Sequence, residues 1–165
     1  MSAFKSYDIR GRLGTDLTEA IAHRIARAFA TILQRAGVRF GILGKAETST
    51  GECVRRAGNE MLFQQLANEL ATKLNDLGVV RIVTCDPHAF NTLKNEYPDF
   101  LGTDDAKLEG EHTFDASEYL MLRHKEEALD TEFAGATYDT ILWQHACHAR
   151  AQQMGPKSKQ LMELT

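Results

Sequence analysis

The stretch from residue 82 to residue 98, IVTCDPHAFNTLKNEYP, decides the fold of this chain. It begins as a β-branched apolar run, turns at a Cys-Asp-Pro-His sequence, and continues as a helical segment that we expect Pro98 to stop. We therefore predict a buried strand, a turn and a short helix. In open α/β sheets functional groups gather at the carboxyl ends of the strands, so Cys85, Asp86 and His88 are candidate site residues. The alternative interpretation is a buried cysteine, a turn aspartate and a helix-starting histidine.

Composition restricts the classes of protein to consider. With 165 residues, of which 43% are hydrophobic and 25% charged, the chain has the composition of one ordinary globular domain, and we expect a single domain over residues 1–165. The net charge of −4 is mild and the basic residues are interspersed with acidic ones, which argues against a nucleic-acid partner. We expect either a homo-oligomer or association with a redox partner subunit.

The sequence also lacks the signals of a membrane or secreted protein. No apolar run approaches the roughly 20 residues that a membrane span needs. Lys5, Asp8, Arg10 and Arg12 interrupt any apolar signal segment near the start. We therefore predict no membrane span and a cytoplasmic location.

The chain on either side of the opening stretch alternates helical and strand patterns. A helix capped by Thr15 or Asp16 is expected to end at Gly37, and a long leucine-rich helix is expected to end near Asp76. The predicted strands cover residues 38–44, 79–84, 111–114 and 138–144. Such alternation predicts an α/β fold with a parallel sheet of about four or five strands and helices on both faces, a Rossmann-like three-layer sandwich.

Thiols and imidazoles follow several of these strands. Crossover handedness brings the carboxyl ends of parallel strands to one edge, so residues distant in sequence should meet there. Thiolate and neutral imidazole are ligands for zinc and for iron–sulfur clusters. The predicted metal ligands are Cys53, Cys85, His88, His145 and Cys147, and Thr48, Ser49, His112 and His148 are expected on the same edge.

The cysteines do not predict a disulfide framework. They are three in number and widely spaced, at Cys53, Cys85 and Cys147, and none forms a Cys-x-x-Cys pair. Free thiols and metal ligands are the two alternatives.

The first 35 residues resemble the amino terminus of the phosphomannomutase/phosphoglucomutase family through Tyr7-Asp8-Ile9-Arg10-Gly11 and the helix that follows. The resemblance implies that Arg10 would lie near a catalytic phosphoserine. However, the Ser-His-Asn-Pro phosphoserine loop and the Asp-x-Asp-x-Asp metal loop of that family are missing from the sequence. Mutase activity is therefore not expected, and a phosphosugar-binding remnant is the corresponding alternative.

Residues 38–165 resemble a second family, the cysteine-rich (CCG) domains of heterodisulfide reductase subunits and of the iron–sulfur subunit of anaerobic glycerol-3-phosphate dehydrogenase. The strings that carry this resemblance are ETSTGE at 47–52, RRAGNE at 55–60, DPHAFNTLKNEYP at 86–98 and HACHARAQ at 145–152. The resemblance implies electron transfer through cysteine-bound iron–sulfur clusters.

Three departures from this second family bear on the cofactor. Ser49, Asp86 and Ala89 stand where the family has cysteines, and no Cys-Cys-Gly segment appears before Thr165. Since an iron–sulfur cluster needs about four ligands, these departures predict no cofactor, with a cluster or zinc as the alternative.

Two family resemblances in one chain predict a hybrid, of chimeric or designed origin. We expect a non-catalytic α/β domain acting as a scaffold or interaction protein. The alternative is an iron–sulfur or metal-binding electron-transfer module, and the second alternative is the phosphosugar-binding remnant. No catalytic or organic-cofactor residues are assigned.

Overall fold

The computed structural model describes residues 14–132, 140, 143 and 145–164, except the side chains of Asp105, Leu108 and His148. Contacts divide the chain into two units. The helical unit takes residues 1–41, 120–145 and 156–165, and the sheet unit takes residues 42–119 and 146–155. The expectation of a single domain over the whole chain stays a prediction.

The described residues form mainly helices and one small sheet. In chain order the helices and strands are α1 (Glu19–Arg35), α2 (Glu52–Arg56), α3 (Glu60–Asp76), β1 (Ile82–Thr84), α4 (Pro87–Asn91), α5 (Tyr97–Leu101), α6 (Asp104–Glu111), β2 (Thr113–Asp115), α7 (Ala116–Lys125), α8 (Cys147–Ala151) and α9 (Lys157–Met162). A 3₁₀ turn (Gly44–Ala46) precedes α2, and a π-helical turn (Thr92–Glu96) joins α4 to α5. None of these helices is both long and apolar enough to cross a membrane.

Strands β1 and β2 pair in parallel, with Ile82 opposite Thr113 and Thr84 opposite Asp115. Two of the predicted strands are thus present, each shorter than or shifted from its predicted range. The predicted last strand, residues 138–144, lies outside the described residues except at Thr140 and Trp143. The described part of the chain therefore has a small parallel sheet, and the Rossmann-like sandwich of four or five strands stays a prediction.

Residues 38–44 are predicted as a strand, but they do not pair with the described sheet. Leu43 has helical backbone angles (φ −68°, ψ −26°) and leads into the 3₁₀ turn. Gly44 then has a φ of 57°, a left-handed value that glycine adopts readily. The chain bends at the point where a strand would have to run straight, and Leu43 packs against the core instead.

The predicted long helix is divided into α2 and α3. Gly58, with a φ of 84°, ends the first helical segment. Asn59 then caps α3, because its side-chain oxygen accepts a hydrogen bond from the Leu62 N–H at 3.2 Å. The helix ends at Asp76 as predicted.

Pro98 was expected to end the helix after β1, and this prediction is wrong. The helical path continues from α4 through the π-helical turn into α5, where Pro98 lies in the first turn. Pro98 is the second residue of α5, and proline is tolerated within the first turn of a helix.

The core of the sheet unit lies between α3, α5 and α6. Phe63 and Tyr97 are fully buried in it and meet edge to face, with ring centroids 6.1 Å apart. The other buried members are Ala67, Leu70, Leu74, Leu93 and Ala106. The apolar face predicted for the long leucine-rich helix included Phe63 and Ala67 beside its leucines. Phe63, Ala67, Leu70 and Leu74 are core, whereas Leu62 and Leu77 are exposed.

Helix α6 lies close against the π-helical turn at Gly110. A Cβ atom on Gly110 would lie 2.7 Å from the Lys94 carbonyl oxygen and 2.8 Å from the Pro98 Cγ. No side chain fits in that space, so the close approach of the two segments requires glycine.

In the helical unit, α1 begins slightly later than predicted. The Gly14 N–H donates to the Leu17 carbonyl at 2.9 Å, which closes a tight turn over the predicted capping residues. Thr18 is therefore the N-cap, and its Oγ1 accepts from the Ile21 N–H at 3.3 Å. Gly37 follows the helix with a φ of 66°, as predicted for a C′ glycine.

The end of α1 is held by two arginines of the same unit. Arg123 donates to the Ala36 carbonyl from Nε at 3.3 Å and from Nη2 at 3.2 Å. Arg35 pairs with Asp130 at 2.6 Å. Hydrogen bonds from the Arg35 guanidinium and the Glu132 N–H hold the pKa of Asp130 below its ordinary value.

Candidate functional site

Local hydrogen bonds build the turn after β1. The Thr84 Oγ1 accepts from the Asp86 N–H at 3.1 Å, and the Asp86 carboxylate accepts from the His88 N–H at 2.9 Å. Asp86 is thus the N-cap of α4, and Pro87 occupies the first helical position. The predicted turn and helix are confirmed here. The predicted strand is present over Ile82–Thr84, although it is half-buried and not buried, and it places Cys85 and His88 at its carboxyl end.

His88 meets the first turn of α2 through Glu52. The His88 Nδ1 lies 3.2 Å from the Glu52 Oε1, and the Arg56 Nε donates to the same oxygen at 3.0 Å. Partial burial by itself would raise the pKa of Glu52, but hydrogen bonds from Arg56, the Cys53 side chain and His88 outweigh it and hold that pKa below its ordinary value. Glu52 is therefore a carboxylate of lowered pKa that contacts His88, one of the predicted ligands.

A second carboxylate, Glu96, lies deeper and at the end of the π-helical turn. It is 7% exposed and is surrounded by donors. Arg55 Nη1 lies 2.6 Å and Arg56 Nη2 2.5 Å from its Oε1, Asn91 Nδ2 donates at 2.9 Å, and Thr92 Oγ1 donates to its Oε2 at 3.2 Å. A buried charge with this many partners is well compensated, and removing one partner of such a pair typically costs about 3–5 kcal/mol.

The guanidinium of Arg55 also contacts aromatic rings. Its central carbon lies 4.2 Å from the ring centroid of Phe100 and 5.5 Å from that of Phe63. Arg55 is therefore fixed by packing as well as by its ion pair.

The Tyr97 hydroxyl donates to the Thr50 carbonyl at 2.9 Å, which ties the loop before α2 to the core.

Cys147 begins α8, and α8 packs against α4. The Asn95 Nδ2 donates to the Gln152 Oε1 at 3.0 Å, which joins the π-helical turn to the residues after α8. His145 belongs to the helical unit, where its ring stacks on Trp143 with centroids 5.2 Å apart. Four of the five predicted ligands therefore belong to the sheet unit.

All three cysteines are exposed free thiols. Although Cys85 is exposed as a residue, partial burial of its sulfur raises the pKa of the Cys85 thiol, and the carboxylates of Asp86 and Asp115 add to the shift. Within residues 14–132 and 145–164, no three His, Cys, Asp or Glu side chains are grouped closely enough to hold a metal ion. The predicted ligand set stays a prediction.

The remaining strand-end residues make structural contacts. The Ser49 Oγ accepts from the Gly51 N–H at 3.1 Å. The His112 carbonyl accepts from the Ile82 N–H at 3.1 Å next to the sheet, and Thr48 is exposed. Arg10 lies outside the described residues, and so does the His148 side chain.

Sequence reasoning did not predict the charged network of Glu52, Arg55, Arg56 and Glu96. One signal was available, because Glu52 and Arg56 are four residues apart, the spacing at which opposite charges meet on a helix. No local pattern identifies Glu96 as buried, since its partners come from α2 and from the start of its own helical segment.

About half of the chain is similar to an iron-sulfur-binding oxidoreductase and to a quinone oxidoreductase. It is 51% identical over 79 residues to the probable iron-sulfur-binding oxidoreductase FadF of Bacillus subtilis, which is 48% of this chain and 11% of that protein. It is 42% identical over 79 residues to the EtfAB:quinone oxidoreductase of Syntrophomonas wolfei, again 48% of this chain and 11% of the relative. This chain therefore spans about a tenth of the length of these relatives.

A weaker similarity connects the chain to phosphomannomutases. The Salmonella typhimurium phosphomannomutase is 39% identical over 79 residues, which is 48% of this chain and 14% of the enzyme. No protein-family profile and no solved structure matches the chain. Each of the two resemblances found in the sequence is thus supported by a similar known protein. A chimeric or designed origin stays a prediction.

Proposed function

We propose that this chain carries an electron-transfer module of the iron–sulfur oxidoreductase kind. The observation that supports this most is the 51% identity over 79 residues to an iron-sulfur-binding oxidoreductase. A quinone oxidoreductase and a probable membrane-anchored ferredoxin of Chromohalobacter salexigens, 42% and 41% identical, support it further. These comparisons favour the electron-transfer alternative over the non-catalytic hybrid that the missing cysteines predicted.

The proposed ligands are the four candidates of the sheet unit: Cys53, Cys85, His88 and Cys147. Three thiols and one imidazole supply the number and the kind of donors that an iron–sulfur cluster or zinc accepts. The donor chemistry therefore fits. The side chains would have to move together around α4, because they are not grouped at metal-binding distance among the described residues. When bound, a cluster would supply one-electron transfer to a redox partner.

The contacts of the sheet unit support a site near α4. Cys85 and His88 flank the start of this helix, α8 with Cys147 packs on it, and Glu52 links His88 to the helix of Cys53. His145 is left out of the proposed set because it belongs to the helical unit.

The test is reconstitution of the chain with ferrous iron and sulfide under anaerobic conditions. We expect stoichiometric iron and sulfide, and visible absorption that bleaches on reduction. Cys147→Ser and Cys85→Ser should each lose this absorption, whereas His23→Ala, on the exposed face of α1, should retain it. Absence of bound iron in the wild-type chain would overturn the proposal of a cluster. If the purified chain contains zinc and no iron, the bound group would be a zinc ion and not a cluster.

A phosphosugar-binding function is a second candidate because of the 39% identity to a phosphomannomutase. It would rest on Arg10, and calorimetric titration with a hexose monophosphate separates it from the first proposal. Binding that Arg10→Ala abolishes would support this candidate, and no binding would remove it.

A further inference from the structure

We propose that a small recess on α1 binds a phosphate group through two arginines of that helix. The recess has a volume of about 230 Å³, and it is lined by Arg24, Arg27, Ala28 and Thr31. This inference goes beyond the proposed electron-transfer function and does not depend on it. It also does not use Arg10, on which the phosphosugar candidate rests.

The spacing of the lining residues explains the recess. Arg24, Arg27, Ala28 and Thr31 follow the i, i+3, i+4, i+7 pattern that places four side chains on one face of a helix. Ala28 and Thr31 have short side chains, which leave room between the two longer arginines. All four residues are exposed, so a small ion in water can reach them.

The positive charge of this recess is not neutralised within the part of the chain that the structure describes. Neither guanidinium group forms an ion pair or a hydrogen bond there. The sequence places no carboxylate three or four residues from Arg24 or from Arg27. Like charges at such spacings repel each other along a helix, and an anion bound between them would remove this repulsion.

The charge of the surrounding unit agrees with an anionic ligand. The helical unit, to which α1 belongs, has more basic than acidic residues, although the whole chain has a net charge of −4. The recess therefore lies in the more basic part of an acidic chain, where an anion is attracted and not repelled.

The chemistry of the two arginines favours phosphate. A guanidinium group presents its N–H donors in a planar fork that matches phosphate and forms charge-assisted hydrogen bonds. The Thr31 hydroxyl already donates to the Arg27 carbonyl at 2.8 Å, so the two guanidinium groups are the donors for the ligand. The recess is smaller than the about 300–1,000 Å³ typical of pockets for drug-sized ligands, which favours a free phosphate ion or the phosphate group of a small molecule.

Titration of the isotope-labelled full chain with inorganic phosphate, followed by nuclear magnetic resonance at constant ionic strength, tests this proposal. We expect saturable shifts of the amide signals of residues 24–31, with a millimolar dissociation constant because water screens exposed charges. Arg24→Ala and Arg27→Ala should each weaken binding by about 10-fold or more, while alanine preserves the helix. Arg27→Lys keeps the charge but not the planar fork, and it should recover only part of the affinity.

The matched control is Arg39→Ala, because Arg39 is exposed in the same unit and does not line the recess. This variant should bind phosphate as the wild type does. Shifts that do not saturate, or an equal loss of affinity in Arg39→Ala, would overturn the proposal and indicate a general attraction of anions to a basic surface. Loss of binding in Arg10→Ala but not in Arg24→Ala would overturn it in favour of the phosphosugar candidate.

A second titration, with glycerol phosphate, separates the two sources of the phosphate group. Binding tighter than that of inorganic phosphate, and weakened by Arg24→Ala, would support the recess as a site for a small organic phosphate. Equal or weaker binding would support it as a site for the free ion.

Discussion

Two adjacent residues, Glu96 and Tyr97, show how burial is made tolerable for different polar groups. The carboxylate of Glu96 is surrounded by two guanidinium groups and two neutral donors, which satisfy its oxygens. Tyr97 is neutral and fully buried, with one hydrogen bond to the Thr50 carbonyl. Burial raises the pKa of Tyr97 above its ordinary value, and the nearby Glu109 carboxylate adds to the shift. The neutral phenol is therefore the form that the fold stabilises.

This raised pKa predicts how Tyr97→Phe changes stability with pH. At neutral pH the variant should be less stable by about 0.5–1.5 kcal/mol, because the hydrogen bond to Thr50 is lost. Above about pH 10 the unfolded wild-type tyrosine loses its proton while the folded one does not, so the wild type loses stability that the variant keeps. Urea unfolding at neutral and alkaline pH measures both free energies. A difference that stays constant as the pH rises would contradict the prediction.

At the scale of elements, α3 is the helix against which the rest of the sheet unit packs. Its buried face contacts α5 and α6, and its N-cap Asn59 separates it from α2. The π-helical turn on the other side of this core carries both a core residue, Leu93, and the buried Glu96. A π-helical turn is uncommon and is often found at functional sites, which agrees with its place beneath the candidate site.

Leu70→Ala should test the position of α3 in the core. Leu70 is 4% exposed, so removing its side chain leaves a cavity and should lower the free energy of unfolding by about 2–5 kcal/mol. Met61→Ala on the same helix is the control, because Met61 is 86% exposed and should change stability by less than about 0.5 kcal/mol. Chemical denaturation measures both. Equal small effects at the two positions would place this face of α3 outside the core.

At the scale of the whole molecule, the open question is whether the two units unfold together. The single tryptophan, Trp143, belongs to the helical unit, where its Nε1 donates to the Ser158 Oγ at 2.9 Å. Its fluorescence therefore reports on that unit, whereas far-ultraviolet circular dichroism reports on the helices of both.

The expected single domain predicts that these two signals change at the same temperature and with the same enthalpy, as in a two-state transition. Thermal unfolding followed by both signals is the measurement. Trp143→Phe, which should lose the fluorescence change and keep the circular dichroism transition, confirms the origin of the first signal. Two separate transitions would show that the units unfold independently and that the chain has two domains.

Several features of the fold were predictable from local sequence because their causes are local. The turn after β1 forms through Asp86, whose side chain caps α4 two residues away. Gly37 ends α1 by adopting the left-handed conformation that suits glycine. The repeat of apolar residues along α3 predicts a helix with one buried face, and that face includes Phe63 although Leu62 is exposed. Contacts between residues that are close in sequence can therefore be predicted from the local sequence.

Other features depend on contacts between distant segments, which a single sequence does not display. Residues 38–43 are mostly apolar and have the pattern of a strand, yet they do not pair with the described sheet, and Leu43 packs against the core. Pro98 is typical of a helix stop, but it lies in the first turn of α5, which directly follows the π-helical turn. The four candidate ligands of the sheet unit were named from residue type, whereas their spacing depends on helix packing.

The sequence by itself determined the strand, turn and helix from residue 82 to 91, the end of α1 at Gly37 and the kinds of donor that are present, because hydrogen bonds and propensities over a few residues specify these. Only the tertiary structure decided that Arg56 connects Glu52 to a buried Glu96, 40 positions away. The reason is physical: a buried charge is stable only where packing supplies its partners, and packing depends on the whole fold.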